Sequence, residues 1–236
     1  SALVVLSSPR FEAEHFAVHH PGQYRSFLIE NRLVADDELP ERPEPEATPA
    51  GPLRIGWFGN LRCRRSLDLL LGVARQFPED VRIYLRGYPA RGVFPDFEQE
   101  VDALPIVIFG GRYQAPQDLE LIYRAVDVVW AGDWYEAGAN SVWLLPNRIY
   151  EGGYLTTPAI APSGTETAAW LTRNNAGFLV DEPVEQSLPA LVKDLITNRA
   201  LITEQQQKLL ACPRHDIVQE PDIIPKMVQA ALTAET

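Results

Sequence analysis

Between residues 53 and 211, short apolar stretches alternate with amphipathic ones, and this alternation limits the fold more than any other feature of the chain. Leu53–Phe58, Val81–Leu85, Ile106–Phe109, Val128–Ala131, Pro158–Ala161 and Gly177–Val180 read as buried strands. Helices are expected over 65–77, 97–103, 116–125, 146–154, 166–173, 184–197 and 199–211. In the first of these, Leu67, Leu70, Leu71 and Ala74 share one face. Strands this uniformly apolar need cover on both faces, so the pattern predicts a parallel α/β sheet between two helical layers. In such a sheet a ligand sits outside the carboxyl ends of the strands.

The chain before residue 53 reads differently. Residues 2–7 form a strand, Pro9 to about His19 a helix, and Ser26–Glu30 another short strand. From Asp36 to Pro52 proline and acid replace apolar residues, which gives a stretch unable to bury a core and best read as an extended, semi-rigid linker. The expected organisation is a β-α-β remnant over 1–35, a linker over 36–52, a ligand-binding domain over 53–213 and a closing segment or helix over 214–236. The chain runs from Ser1 straight into a strand and reads as a piece of a longer protein. A net charge of −11 argues against nucleic acid or an anionic membrane as the main partner. No apolar run approaches the ~20 residues of a membrane span. Cys63 and Cys212 are too few and too far apart for a disulfide framework, so the cytoplasm is the expected compartment.

Four groups could carry chemistry. The turn Gly59-Asn60-Leu61-Arg62-Cys63-Arg64-Arg65-Ser66 sets three arginines within four residues at the ligand end of the sheet, where they could hold a diphosphate; a solvated basic turn is the plainer reading. The loop Asp133–Ser141 mixes aromatic and polar side chains, including Glu136, Asn140 and Ser141, which suits a sugar or an ordinary surface loop. In Pro146–Glu151 a proline opens a helix that puts Asn147 and Glu151 on one face, where a carboxylate could take both hydroxyls of a ribose or simply face solvent. Ser163–Thr167 could offer free amides to a phosphate or be a plain helix start. His15 and His19 lack a third ligand in reach, so no metal site is expected.

In this order the residues resemble the C-terminal, nucleotide-sugar-binding half of a GT-B glycosyltransferase, close to family 4, whose Rossmann-like sheet matches the one expected here. Gly59 to Ser66 is similar to the family's G-R-L-x-x-x-K-G turn, with Arg65 in the place of the lysine and Asn60 in the place of the arginine. Asn147-Arg148-Ile149-Tyr150-Glu151 with Pro158-Ala159-Ile160 is similar to N-K-x-x-E and the strand that follows it. The resemblance implies that Arg65, Arg64, Arg62, Asn60 and Gly59 hold the donor diphosphate. It implies that Glu151, Asn147, Arg148 and Gly111 hold the nucleoside, and that Glu136, Asn140 and Ser141 meet the donor sugar. Trp143 stands where the family's other form has a first glutamate, and Thr156 where glycine is usual. The expected activity is transfer of a sugar from a nucleotide-sugar donor to a polysaccharide or glycolipid acceptor, with retention and with no cofactor or metal. Catalytic residues are unassigned and expected partly in the missing N-terminal domain, through which any peripheral membrane association is also expected. A GT-B-like epimerase and a non-catalytic nucleotide-sugar-binding module are the alternatives.

Overall fold

The computed structural model describes residues 2–34, 39–45 and 51–233. The chain opens with β1 (Ala2–Leu6), and Ser8 then caps a helix by accepting from the Arg10 amide. That helix runs as α1 (Pro9–Phe11), a π-helical stretch (Glu12–Phe16) and α2 (Ala17–His19). β2 (Tyr24–Leu28) returns parallel to β1, and β3 (Leu33–Val34) follows.

The main sheet starts at β4 (Leu53–Leu61), followed by α3 (Arg64–Gln76), β5 (Val81–Pro89), α4 (Phe97–Asp102) and β6 (Val107–Phe109). The chain then crosses back through α5 (Leu119–Arg124) to β7 (Val128–Trp130) and α6 (Asn140–Trp143). It continues through α7 (Asn147–Tyr154), β8 (Ala159–Pro162), α8 (Glu166–Arg173), β9 (Phe178–Val180), α9 (Val184–Thr197) and α10 (Ala200–Ala211). All six strands are parallel, in the order β6-β5-β4-β7-β8-β9, so the winding reverses between β4 and β7. A reversal of this kind opens a crevice at the strand ends.

Alternate side chains divide the core between the two faces, as a pleated strand requires. Leu53, Ile55 and Trp57 of β4, with Val128 and Trp130 of β7, pack under α3 and α9. Phe58, Val129, Ala159 and Ala161 pack on the opposite face, against Tyr123, Ile149, Tyr150 and Trp170. Near the strand ends Gly59 (φ +101°) lies beside Gly87 (φ +129°), where a Cβ on residue 87 would lie 1.8 Å from the Gly59 carbonyl oxygen. Only glycine fits there.

The last segment crosses back to the first. After a 3-10 turn (Arg214–Asp216), β10 (Val218–Gln219) pairs in parallel with β3. α11 (Ile223–Leu232) then packs on β1, with Arg25 Nη2 donating to the Ala230 carbonyl at 2.7 Å. The stretch expected as a linker is described only at 39–45 and 51–52. The rest of it, 36–38 and 46–50, lies outside the described residues. Residues 39–45 lack regular structure but are not a free spacer. The Arg42 guanidinium donates to the carbonyls of Gly153, Tyr154, Leu209, Leu210 and Cys212, closing the carboxyl ends of α7 and α10, and Tyr154 Oη donates to the Pro40 carbonyl. Sequence composition missed this because one arginine supplies donors for carbonyls that helix ends always leave over. No described helix is long and apolar enough to cross a membrane.

Candidate functional site

A cleft of about 350 Å³ opens at the strand ends where the winding reverses. One side comes from the first unit, through Ser7, Phe11 and Asn31. The floor is Phe58, Gly59 and Asn60 of β4, and the far side runs from Leu144 to Arg148 and on to Glu151. Tyr113, Arg62, Asp133 and Asn140 complete it. Asn31 Nδ2 donates to the Leu145 carbonyl (3.0 Å) and Ser8 Oγ to that of Trp143, so the first unit is fastened to the loop that leads into α7.

Glu151 is the deepest charged group in the cleft, at 4% exposure. Its Oε2 accepts one hydrogen bond, from Tyr123 Oη at 2.7 Å. Burial raises its carboxyl above the usual carboxylate range, while the Tyr123 bond and the Arg148 charge pull the other way. Tyr123 is itself pushed well above its ordinary value by burial and by that carboxylate. Arg148, one turn earlier, is also buried and donates Nη1 to the Trp130 carbonyl at 3.3 Å. Pro146 is the extended N-cap of α7 and supplies no capping side chain. The first amides of that helix therefore have no side-chain partner at an end that attracts anions.

The structure deals the arginine turn to two sides. Arg62 lines the cleft, with Nε donating to Asp133 Oδ2 (3.1 Å) and its guanidinium over the Tyr135 ring. Arg64 and Arg65 do not line it. Arg64 is held by Glu100 and Asp68, and Arg65 by both Glu182 (2.7 Å) and Glu185 (2.8 Å) while stacked 4.4 Å from the Trp134 ring. These carboxylates raise both guanidiniums above the ordinary arginine value, and the arginines lower the three glutamates. Cys63 is spent as the cap of α3, its sulfur accepting from the Ser66 and Trp134 amides.

Of the residues expected at the sugar, Asn140 lines the cleft. Ser141 and Glu136 do not; Ser141 Oγ donates to Asp133 Oδ1 (2.9 Å), and Glu136 accepts from Asn140 (2.6 Å). Gly111 lines a separate hollow beside Tyr88 and Arg112. Trp143 turns towards the first unit, its ring edge-on to Phe11 at 6.1 Å. The Ser163–Thr167 turn is capped from within, by Thr165 Oγ1 on the Ala168 amide, and it lies outside the cleft. Among the described residues no group of three His, Cys, Asp or Glu could hold a metal. The sequence reading missed Tyr113 and Tyr123. Tyr123 sits on the apolar face of α5, where an aromatic residue signals core and not a hydroxyl aimed at a carboxylate.

Comparison with known proteins bears on the fold. No family profile matches the chain. The succinoglycan biosynthesis protein ExoL of Rhizobium meliloti is 40% identical over 200 residues, 83% of this chain and 50% of that protein. The chain thus spans about half the length of this curated relative. Among solved structures, HepE of Anabaena in complex with UDP-glucose superposes with a TM-score of 0.73 at 14% identity, over 99% of this chain and 64% of that one. Sucrose-phosphate synthase from Thermosynechococcus elongatus gives 0.71 at 17% identity, over 99% and 59%. The chain has the GT-B fold of the glycosyltransferases, and the sheet described above is its Rossmann-like unit.

Proposed function

We propose that this chain is the donor-binding half of a glycosyltransferase that moves a sugar from a nucleoside-diphosphate sugar to a polysaccharide or glycolipid acceptor, with retention. One observation carries the reading: a buried carboxylate, two guanidiniums and an uncapped helix end meet in one cleft at the point where the winding reverses. Glu151 accepts hydrogen bonds from the two ribose hydroxyls, its position fixed by Tyr123. Arg62 and Arg148, with the first amides of α7, hold the diphosphate. As the acceptor hydroxyl attacks the anomeric carbon and the bond to the leaving diphosphate breaks, negative charge grows on the terminal phosphate. Fixed positive groups facing it stabilise that charge, and guanidiniums serve without a metal. The UDP-glucose bound by HepE and the polysaccharide named for ExoL support a hexose donor and a saccharide product. We place the protein in the cytoplasm, on the two free cysteines, with any membrane contact supplied by residues outside this chain.

Calorimetry with UDP, GDP and ADP tests the reading. One of them binds the chain, and Glu151→Ala or Arg148→Ala weakens that binding about tenfold, the equivalent of ~1.4 kcal/mol. Failure of all three nucleotides to bind would overturn the donor site.

A further inference from the structure

On the other side of the arginine turn lies a second, larger groove of about 740 Å³. Its floor is α3 from Asp68 past Gly72 to Gln76, one wall is α9 at Glu185 and Pro189, and the opposite wall is Trp134 and Tyr135. Arg62 lines both this groove and the cleft, so the two lie side by side.

Gly72 is the informative residue. Glycine inside a helix costs stability against alanine, and here nothing requires it. Its φ is ordinary for a helix, its position is exposed, and no atom lies within 4 Å of where a Cβ would sit. The missing side chain leaves open a trough that no group among the described residues enters.

The charge around the trough narrows what could enter it. On the side away from the cleft, Arg64 and Arg65 are already paired, against the four carboxylates Asp68, Glu100, Glu182 and Glu185. That balance opposes a phosphate or an anionic headgroup. The floor and one wall are helix faces, with no unpaired strand edge to receive an extended peptide. What remains is an exposed tyrosine ring, an apolar floor and a rim of carboxylates and amides. A flat ring suits the C–H face of a pyranose, and the rim suits its hydroxyls.

We propose that this groove is a subsite for a neutral oligosaccharide, placed to hold an acceptor glycan beside the donor cleft. The assignment of the bound glycan as acceptor rests on the transferase reading above; saccharide binding in the groove does not. The test is an amide NMR titration of the chain with cellotetraose and laminaritetraose, repeated on Gly72→Leu and Tyr135→Ala. We expect shifts at residues 68–76 and 134–137. We also expect saccharide affinity to weaken about tenfold in both variants, with nucleotide affinity unchanged in Gly72→Leu. Absence of shifts with both glucans, shifts confined to the cleft, or shifts that persist in Gly72→Leu would overturn the proposal. So would perturbation of the same amides by anionic phosphatidylglycerol vesicles and not by glucans. Nucleotide binding is read on the same samples, so a lost donor site and an empty groove give different results.

Discussion

Asp127 and Glu151 are both nearly sealed from water, at opposite edges of one sheet, and their surroundings differ. At the amino-terminal edge Asp127 takes the Arg54 amide at 2.8 Å, two bonds from the Arg54 guanidinium and a longer one from Arg199. At the carboxyl edge Glu151 takes one bond from a neutral tyrosine, and among the described residues it has no ion pair. The fold meets the needs of the first carboxylate completely. It leaves the second under-supplied in a cleft where a ligand hydroxyl can do the rest. Stability and binding are thus separated onto two acids, and substitution can pull them apart.

The largest effect expected is on folding. Asp127→Ala leaves Arg54 partly buried without its partner and should cost about 3 kcal/mol or more. Denaturant melts read this loss, while nucleotide affinity of the remaining folded protein stays unchanged. Glu151→Gln should behave in the opposite way, with binding weakened about tenfold, or ~1.4 kcal/mol, and stability equal to wild type or above it. The sign follows from its raised carboxyl. The folded state holds that proton more tightly than the unfolded one, so wild-type stability falls as pH rises above the usual glutamate value of 4.5. The advantage of Glu151→Gln therefore grows as pH rises above 4.5 and vanishes in acid; a constant difference would show that Glu151 is not buried charged. Among the arginines, Arg62→Ala should weaken nucleotide binding about tenfold and Arg65→Ala less than about threefold. A larger effect at Arg65 would mean that it leaves Glu182 and Glu185 to reach the donor. Smallest is Gly72→Ala, expected to raise stability by about 0.5–1 kcal/mol.

Much of the sheet was legible because its signals are local. The helices over 166–173 and 184–197 begin and end where the apolar spacing places them, since cap, face and terminator lie within a few residues of one another. The arginine turn shows where that legibility stops. Three arginines look interchangeable in the sequence. Which of them stays open to a ligand is decided by Glu100, Glu182 and Glu185, acids brought in from distant elements. Arg42 was hidden in the same way, inside a composition that reads as unstructured. Trp143 stands where a carboxylate was looked for, and the fold uses it as a wedge against Phe11. β3 and β10, at two residues each, are too short to carry any periodic signal.

That last pairing also sets an order of events. Leu33 and Val34 pair with Val218 and Gln219, and Arg25 reaches Ala230 from 205 residues away. On the ribosome, residues 2–34 emerge well before the partners that complete them. The six-stranded sheet can close on itself while they wait, since none of its strands belongs to the first or last segment. The part of this chain made earliest is the part finished last.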